Sequence, residues 1–128
     1  MGVPCNQFGN QEPFDAENPN ELIAFLDDKD WGVSAAVDFL LMTKYEVNGA
    51  GAHPLYRWAK SQLKSTLGTS IKWNFTHFVF NAKGEPVRRY GPPRKPSSMA
   101  PLIQELLTDP AVIPGSFAAG GATSSSMA

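Results

Sequence analysis

Residues 75–90 carry the pattern that most restricts what this chain can become. Phe75, His77 and Val79 alternate with Thr76, Phe78 and Phe80, Asn81-Ala82-Lys83-Gly84 follows, and the chain returns through Pro86 to Tyr90. Two runs of strand-forming residues around Asn and Gly specify a β-hairpin. Both faces of its first strand are largely apolar, which predicts an interior position. The return strand carries Arg88 and Arg89, charges that suit a sheet edge. Beyond Gly91-Pro92-Pro93, the residues Leu102, Ile103, Leu106 and Leu107 recur at helical spacing. A hairpin with a following helix needs further layers to cover it.

The upstream residues supply them. Asn18-Pro19-Asn20-Glu21 marks a helix start, with Asn18 as cap, Pro19 in the first turn and Glu21 reaching back. Leu22, Phe25 and Leu26 then define one apolar face, which Asp27-Asp28-Lys29-Asp30 ends. Residues 37–47 are ambiguous: Phe39-Leu40-Leu41-Met42 fits a buried segment of either helix or strand, and Thr43 to Val47 reads best as a strand. Pro54 opens a second helix, with Leu55, Trp58, Ala59 and Leu63 on one side and His53 at its entry. The order is strand remnant, helix, buried segment, helix, hairpin, helix. That is the second half of a thioredoxin-like α/β domain whose first strand-helix unit is absent. The domain is expected to span residues 1–113, and the Gly, Ala and Ser of 114–128 form a tail that cannot bury enough to order.

Composition narrows the function. With 11 basic and 12 acidic residues the net charge is −1, so no excess of cations is available for nucleic-acid phosphates. Apolar runs are short and interrupted, which argues against a transmembrane segment. One cysteine, Cys5, excludes an intrachain disulfide and a cysteine-rich metal site. His53 and His77 lack ligand partners at suitable spacing, and no metal is expected.

Five motifs in order carry a resemblance. They are Pro4-Cys5-Asn6-Gln7-Phe8-Gly9 with Gln11-Glu12-Pro13, Val47-Asn48-Gly49, Ala52-His53-Pro54-Leu55, Lys72-Trp73-Asn74-Phe75-Thr76, and Arg89-Tyr90. From Val3 to about Leu107 the chain resembles the glutathione peroxidase family, of the monomeric, phospholipid-hydroperoxide type. The resemblance implies reduction of hydrogen peroxide or organic hydroperoxides by a thiol, with glutathione or another thiol as co-substrate and no bound cofactor. It also implies that Gln11, Trp73 and Asn74 belong to a catalytic tetrad. An amide, an indole and a second amide are uncharged N–H donors, able to favour a chalcogen anion without the tight pairing a cation would impose.

The fourth member, a cysteine or selenocysteine nucleophile, is expected upstream of Met1, as in an incomplete gene product whose selenocysteine codon was read as a stop. Cys5 is expected to be a half-buried thiol at a strand end. The alternative function is therefore a catalytically inactive fragment, poorly soluble because a central strand is missing. The resemblance further implies a glutathione-type donor, since residues 20–38 hold no resolving cysteine, and a monomer, since the connection from Gln62 to Ser70 is short. A cytoplasmic location follows only from the lack of any visible targeting segment. Gln7 and Asn6 read as turn-satisfying residues, Lys72, Arg88 and Arg89 as solvated charges, and Trp31 and Trp58 as packing.

Overall fold

The computed structural model describes residues 1–14, 18–29 and 39–108. The expected tail at 114–128, the domain boundary before it and Trp31 lie outside the described residues. Helix α1 spans Asn20–Asp28 and helix α2 spans Pro54–Gln62. Strand β1 is His77–Phe80 and strand β2 is Pro86–Tyr90. A 3-10 turn at Pro96–Met99 leads into helix α3, Ala100–Thr108.

Local chemistry explains the boundaries. Asn18 Oδ1 accepts the Asn20 amide at 3.3 Å, and the Pro19 carbonyl accepts that of Ile23 at 2.9 Å. Asn18 thus tethers the entry of α1, but it is not the cap that its sequence position suggests. Pro19 takes the cap position ahead of the helix with no side-chain cap bond, and among the described residues Glu21 makes no bond back to it. His53 Nδ1 accepts the Leu55 amide at 3.3 Å and caps α2, with Pro54 in its first turn. In the hairpin, Asn81 Oδ1 accepts the amides of Lys83 and Glu85 at 3.0 and 2.9 Å. Gly84 takes φ +79 there, the left-handed conformation that glycine adopts without a Cβ clash.

Four further expectations are corrected. Thr43 to Val47 forms no strand: the N-terminal segment pairs ahead of it, through one parallel bridge of Gly2 with Leu41. Gly2 donates to the Leu40 carbonyl at 2.8 Å and accepts from Met42 at 2.9 Å, but the next bond runs from Tyr45 to the Pro4 carbonyl at 3.1 Å. Pro4 has no N–H to continue the ladder, and pairing slips out of register beyond it. Strand β1 is not interior: all four of its residues are half-buried, and among the described residues it pairs only with β2. The face of α1 buries Leu22 alone, while Phe25 lies 47% exposed, its ring against Phe14. On α2 the buried positions are Ala59 and Lys60, and Trp58 stacks in the open on Phe80.

The core sits under the N-terminal motif. Phe8, Val47 and Ile71 are buried together, with Cys5, Tyr56 and Phe78 packed against them. Each such side chain contributes about 1.5–3 kcal/mol when fully removed from water. The three buried members, Phe8, Val47 and Ile71, come from loops rather than from helices or strands, so the core is also the junction of the motif segments. Among the described residues no helix is long and apolar enough to cross a membrane.

Candidate active site

Gln11 lies in a loop that side chains hold shut. Asn6 Oδ1 accepts the Glu12 amide at 3.0 Å. Lys44 Nζ donates to the Glu12 carbonyl at 2.7 Å and also to the carbonyl of Phe14. Its ammonium stands 3.9 Å from the Glu12 carboxylate. Asn6 therefore closes the turn, as its residue type suggests. Within the loop Gly9 has φ +68 and Asn10 has φ +52.

Trp73 and Asn74 lie on the segment entering β1. The Thr76 hydroxyl donates to the Trp73 carbonyl at 3.2 Å. Phe75 has φ +57 although its ring is 68% exposed. Asn10 and Phe75 are the non-glycine residues with positive φ among those described, and they adjoin Gln11 and Asn74 respectively. A bulky residue in this region costs about 1–3 kcal/mol and persists where the surroundings enforce it.

The two segments meet. Asn74 Nδ2 donates to Gln11 Oε1 at 2.9 Å. Trp73 tilts against Phe8 with ring centroids 6.1 Å apart. A methyl group built on Gly9 would stand 3.6 Å from Trp73 Cη2 and 3.7 Å from Gln11 Cγ. Gln11 and Trp73 thus both border Gly9, and Asn74 joins them through its bond to Gln11. Because the Gln11 carbonyl takes the Asn74 proton, its own amide nitrogen is left to donate elsewhere. Among the described residues, no protein acceptor pairs with Gln11 Nε2 or Trp73 Nε1. The cluster is open, with Trp73 48% exposed. The donors face solvent, where a dipole stabilises charge far less than in a water-poor cleft.

Cys5 sits apart in role. Its Sγ approaches Gln7 Oε1 at 3.7 Å, and its side chain packs on the core cluster. Gln7 is bonded to backbone: its Oε1 accepts the amides of Val47 and Asn48 at 2.9 and 3.0 Å, and its Nε2 donates to the Asn48 carbonyl at 3.0 Å.

Four charged or polar residues hold places that the sequence did not indicate. Arg89 is no solvated edge charge: its two terminal nitrogens donate to the carbonyls of Thr69 and Ser70 at 2.8 and 2.9 Å, and it lies over the Phe78 ring. Desolvation moves its pKa below the usual arginine value. Lys60 donates to the Asn48 side chain and to the Val47 carbonyl, and Asn48 in turn bonds both backbone groups of Ile71, two residues before Trp73. The Val47-Asn48-Gly49 motif was the available signal for Asn48, whereas a lysine in an amphipathic helix gives none for burial. His77, in strand β1, has its Nδ1 buried with no partner among the described residues. Among those residues no group of three or more His, Cys, Asp and Glu could hold a metal ion.

Comparison with known proteins gives consistent relatives. The sequence profile of the family described as glutathione peroxidase matches residues 1–60. A glutathione peroxidase-like peroxiredoxin of Saccharomyces cerevisiae is 42% identical over 110 residues, covering 85% of this chain and 63% of its own. The phospholipid hydroperoxide glutathione peroxidase of Hylobates lar is 45% identical over 98 residues, 75% of this chain and 45% of the relative. A solved structure titled Trgpx in apo form superposes with a TM-score of 0.61 at 32% identity, covering 85% of this chain and 57% of that one. The chain therefore spans less than two thirds of the length of these relatives.

Proposed function

The chain belongs to the glutathione peroxidase family, with its thioredoxin-like α/β fold, and on that footing we propose that it carries the hydrogen-bond-donor half of a hydroperoxide-reducing site. Gln11, Trp73 and Asn74 are the donors. The observation that carries the reading is the Asn74–Gln11 hydrogen bond, which joins two sequence motifs at one point beside an indole.

The chemistry asks for such donors. A thiolate or selenolate attacks one peroxide oxygen, the O–O bond breaks, and its electron pair leaves with the departing oxygen, which takes a proton. The chalcogen becomes a sulfenic or selenenic acid. One thiol then displaces water from it, and a second thiol releases the chalcogen anion and forms a disulfide. Neutral N–H groups favour the anion at the start and the charge that develops on oxygen. A well-covered donor of this kind contributes about 2.7–4 kcal/mol. Exposed as they are here, the three donors reach such values only when another segment or the substrate covers them.

Cys5 is not placed to be the nucleophile, since its sulfur faces Gln7 and the core. The attacking chalcogen belongs to a segment outside these residues, upstream of Met1. The co-substrate is glutathione or another small thiol, no bound cofactor takes part, and the protein acts as a monomer in the cytoplasm. A second reading is a catalytically inactive fragment, in which Gln11, Trp73 and Asn74 keep their geometry with no thiol hydrogen-bonded to them among the described residues.

Turnover separates the two. The 128-residue chain should reduce hydroperoxide with glutathione no faster than background. Fusing it to the unmatched segment of the yeast relative should confer turnover that Gln11→Ala or Asn74→Ala lowers about 10²-fold or more. Robust turnover by the chain alone, abolished by Cys5→Ser, would overturn the assignment.

A further inference from the structure

We propose that Asn48, held from below by the buried Lys60, is the positioning residue for the Trp73–Asn74 donor pair. Ile71 belongs to no helix or strand, yet both of its backbone groups are satisfied by the one side chain. Asn48 Oδ1 accepts the Ile71 amide at 2.9 Å, and Asn48 Nδ2 donates to the Ile71 carbonyl at 2.8 Å. The side-chain amide thus imitates a strand partner for Ile71. Only Lys72 separates that anchored residue from Trp73.

Asn48 has no latitude of its own. Its Oδ1 also accepts Lys60 Nζ at 3.1 Å. Two donors on one oxygen, with the nitrogen engaged by a carbonyl, fix which way the amide faces and hold its rotamer. The Asn48 backbone is gripped in turn by Gln7, at both its N–H and its C=O. Arg89 holds the two preceding carbonyls, Thr69 and Ser70. Residues 69–71 are therefore fixed by side chains from elsewhere in the chain.

Lys60 shows that the arrangement serves more than packing. It is 9% exposed, and Val47 O and Asn48 Oδ1 are its two acceptors. Among the described residues no carboxylate forms a salt bridge with it. An ammonium so placed costs free energy that an apolar side chain of equal length would not. Desolvation lowers its pKa, and the charge of Arg89 lowers it further. What the ammonium does there is tie the Val47–Asn48 turn to α2. The halves of the donor cluster are thereby joined twice, once at Gln11–Asn74 and once beneath it through Gln7, Asn48 and Ile71.

The proposal rests on the peroxidase reading only for what the donors act upon, and its test uses no turnover. In the 15N-labelled 128-residue chain, Lys60→Met should shift the Trp73 indole N–H and the Asn74 side-chain amide resonances. The Asn81 side-chain amide, in the hairpin turn, should stay. Lys60→Arg, which restores a cationic donor, should return the shifted signals toward their original positions. A folded Lys60→Met chain with Trp73 and Asn74 unmoved overturns the proposal. Should that variant not fold, exchange at the Ile71 amide of the unsubstituted chain decides: protection like that of the α2 amides supports the clasp, and exchange as fast as at Leu67 overturns it. Shifts without turnover in the fused protein would sink the peroxidase reading and leave the clasp standing. Turnover with unmoved resonances would do the opposite.

Discussion

The side-chain nitrogen of Asn74 donates to the side-chain oxygen of Gln11 at 2.9 Å across 63 positions of sequence. One consequence is orientation. With its oxygen engaged, Gln11 presents N–H groups rather than a lone pair, so the cluster is suited to an anion. A second is mutual dependence, since each amide is oriented partly by the other. The strain at Asn10 and Phe75, one beside each partner, lies where this contact forms.

Gly9 borders both Trp73 and Gln11 with a positive φ. Gly9→Ala places a Cβ at φ +68 and against both Trp73 and Gln11. The conformational cost is about 1–2 kcal/mol, so the urea midpoint should fall correspondingly, and Trp73 fluorescence should change. Unaltered stability would mean that the loop relaxes to negative φ.

Phe75 should show the reverse sign. Its ring is 68% exposed and its φ is +57, so Phe75→Gly loses little packing and removes backbone strain. Stability should hold or rise by up to about 1 kcal/mol, the gain being reduced by the larger entropy of unfolded glycine. A loss above about 1 kcal/mol in chemical denaturation would show that the ring packs more than its exposure suggests.

Arg89→Met should destabilise by about 1.5–3 kcal/mol, because two carbonyls lose charge-assisted partners. Arg89→Lys should recover only part of this, since an ammonium lacks the planar fork that spans Thr69 and Ser70. Equal stability of Arg89→Lys and the unsubstituted chain would contradict the clamp.

Lys60 sets a pH dependence. Its folded pKa is lowered by burial, so above that value the unfolded chain binds the extra proton. Stability should therefore rise with pH between the lowered folded pKa and the ordinary lysine value near ~10.4. Below that window the charged amine carries a constant penalty. Subtracting the pH profile of Lys60→Met isolates the contribution. A difference profile that is flat, or that falls with pH, would show that the charge is not disfavoured in the fold.

Much of this was legible where a residue's own chemistry sets its backbone. Asn81 and Gly84 specify the hairpin turn by side-chain bonding and positive φ, and His53-Pro54 specifies the start of α2. The encounter of Gln11 with Trp73 and Asn74 was legible only through the five ordered motifs, because their spacing in sequence says nothing of distance. What escaped reading depends on tertiary partners. Thr43 to Val47 has strand-like residues, but its neighbour contains Pro4 and cannot extend the ladder. Lys60 and Arg89 look like surface charges until the carbonyls of Val47, Thr69 and Ser70 arrive beside them. Exposure of the donors was likewise unreadable, since it depends on what covers them.

The account stands most directly on the acidity of the nucleophile these donors would serve. In the chain fused to an upstream segment carrying a single cysteine, with Cys5→Ser leaving that one thiol, thiolate absorbance gives its pKa as pH is raised. The account predicts a value below the ordinary ~8.5 for cysteine, rising by about one unit or more in Gln11→Ala, Trp73→Phe and Asn74→Ala alike. An ordinary pKa that none of the three substitutions moves would contradict it.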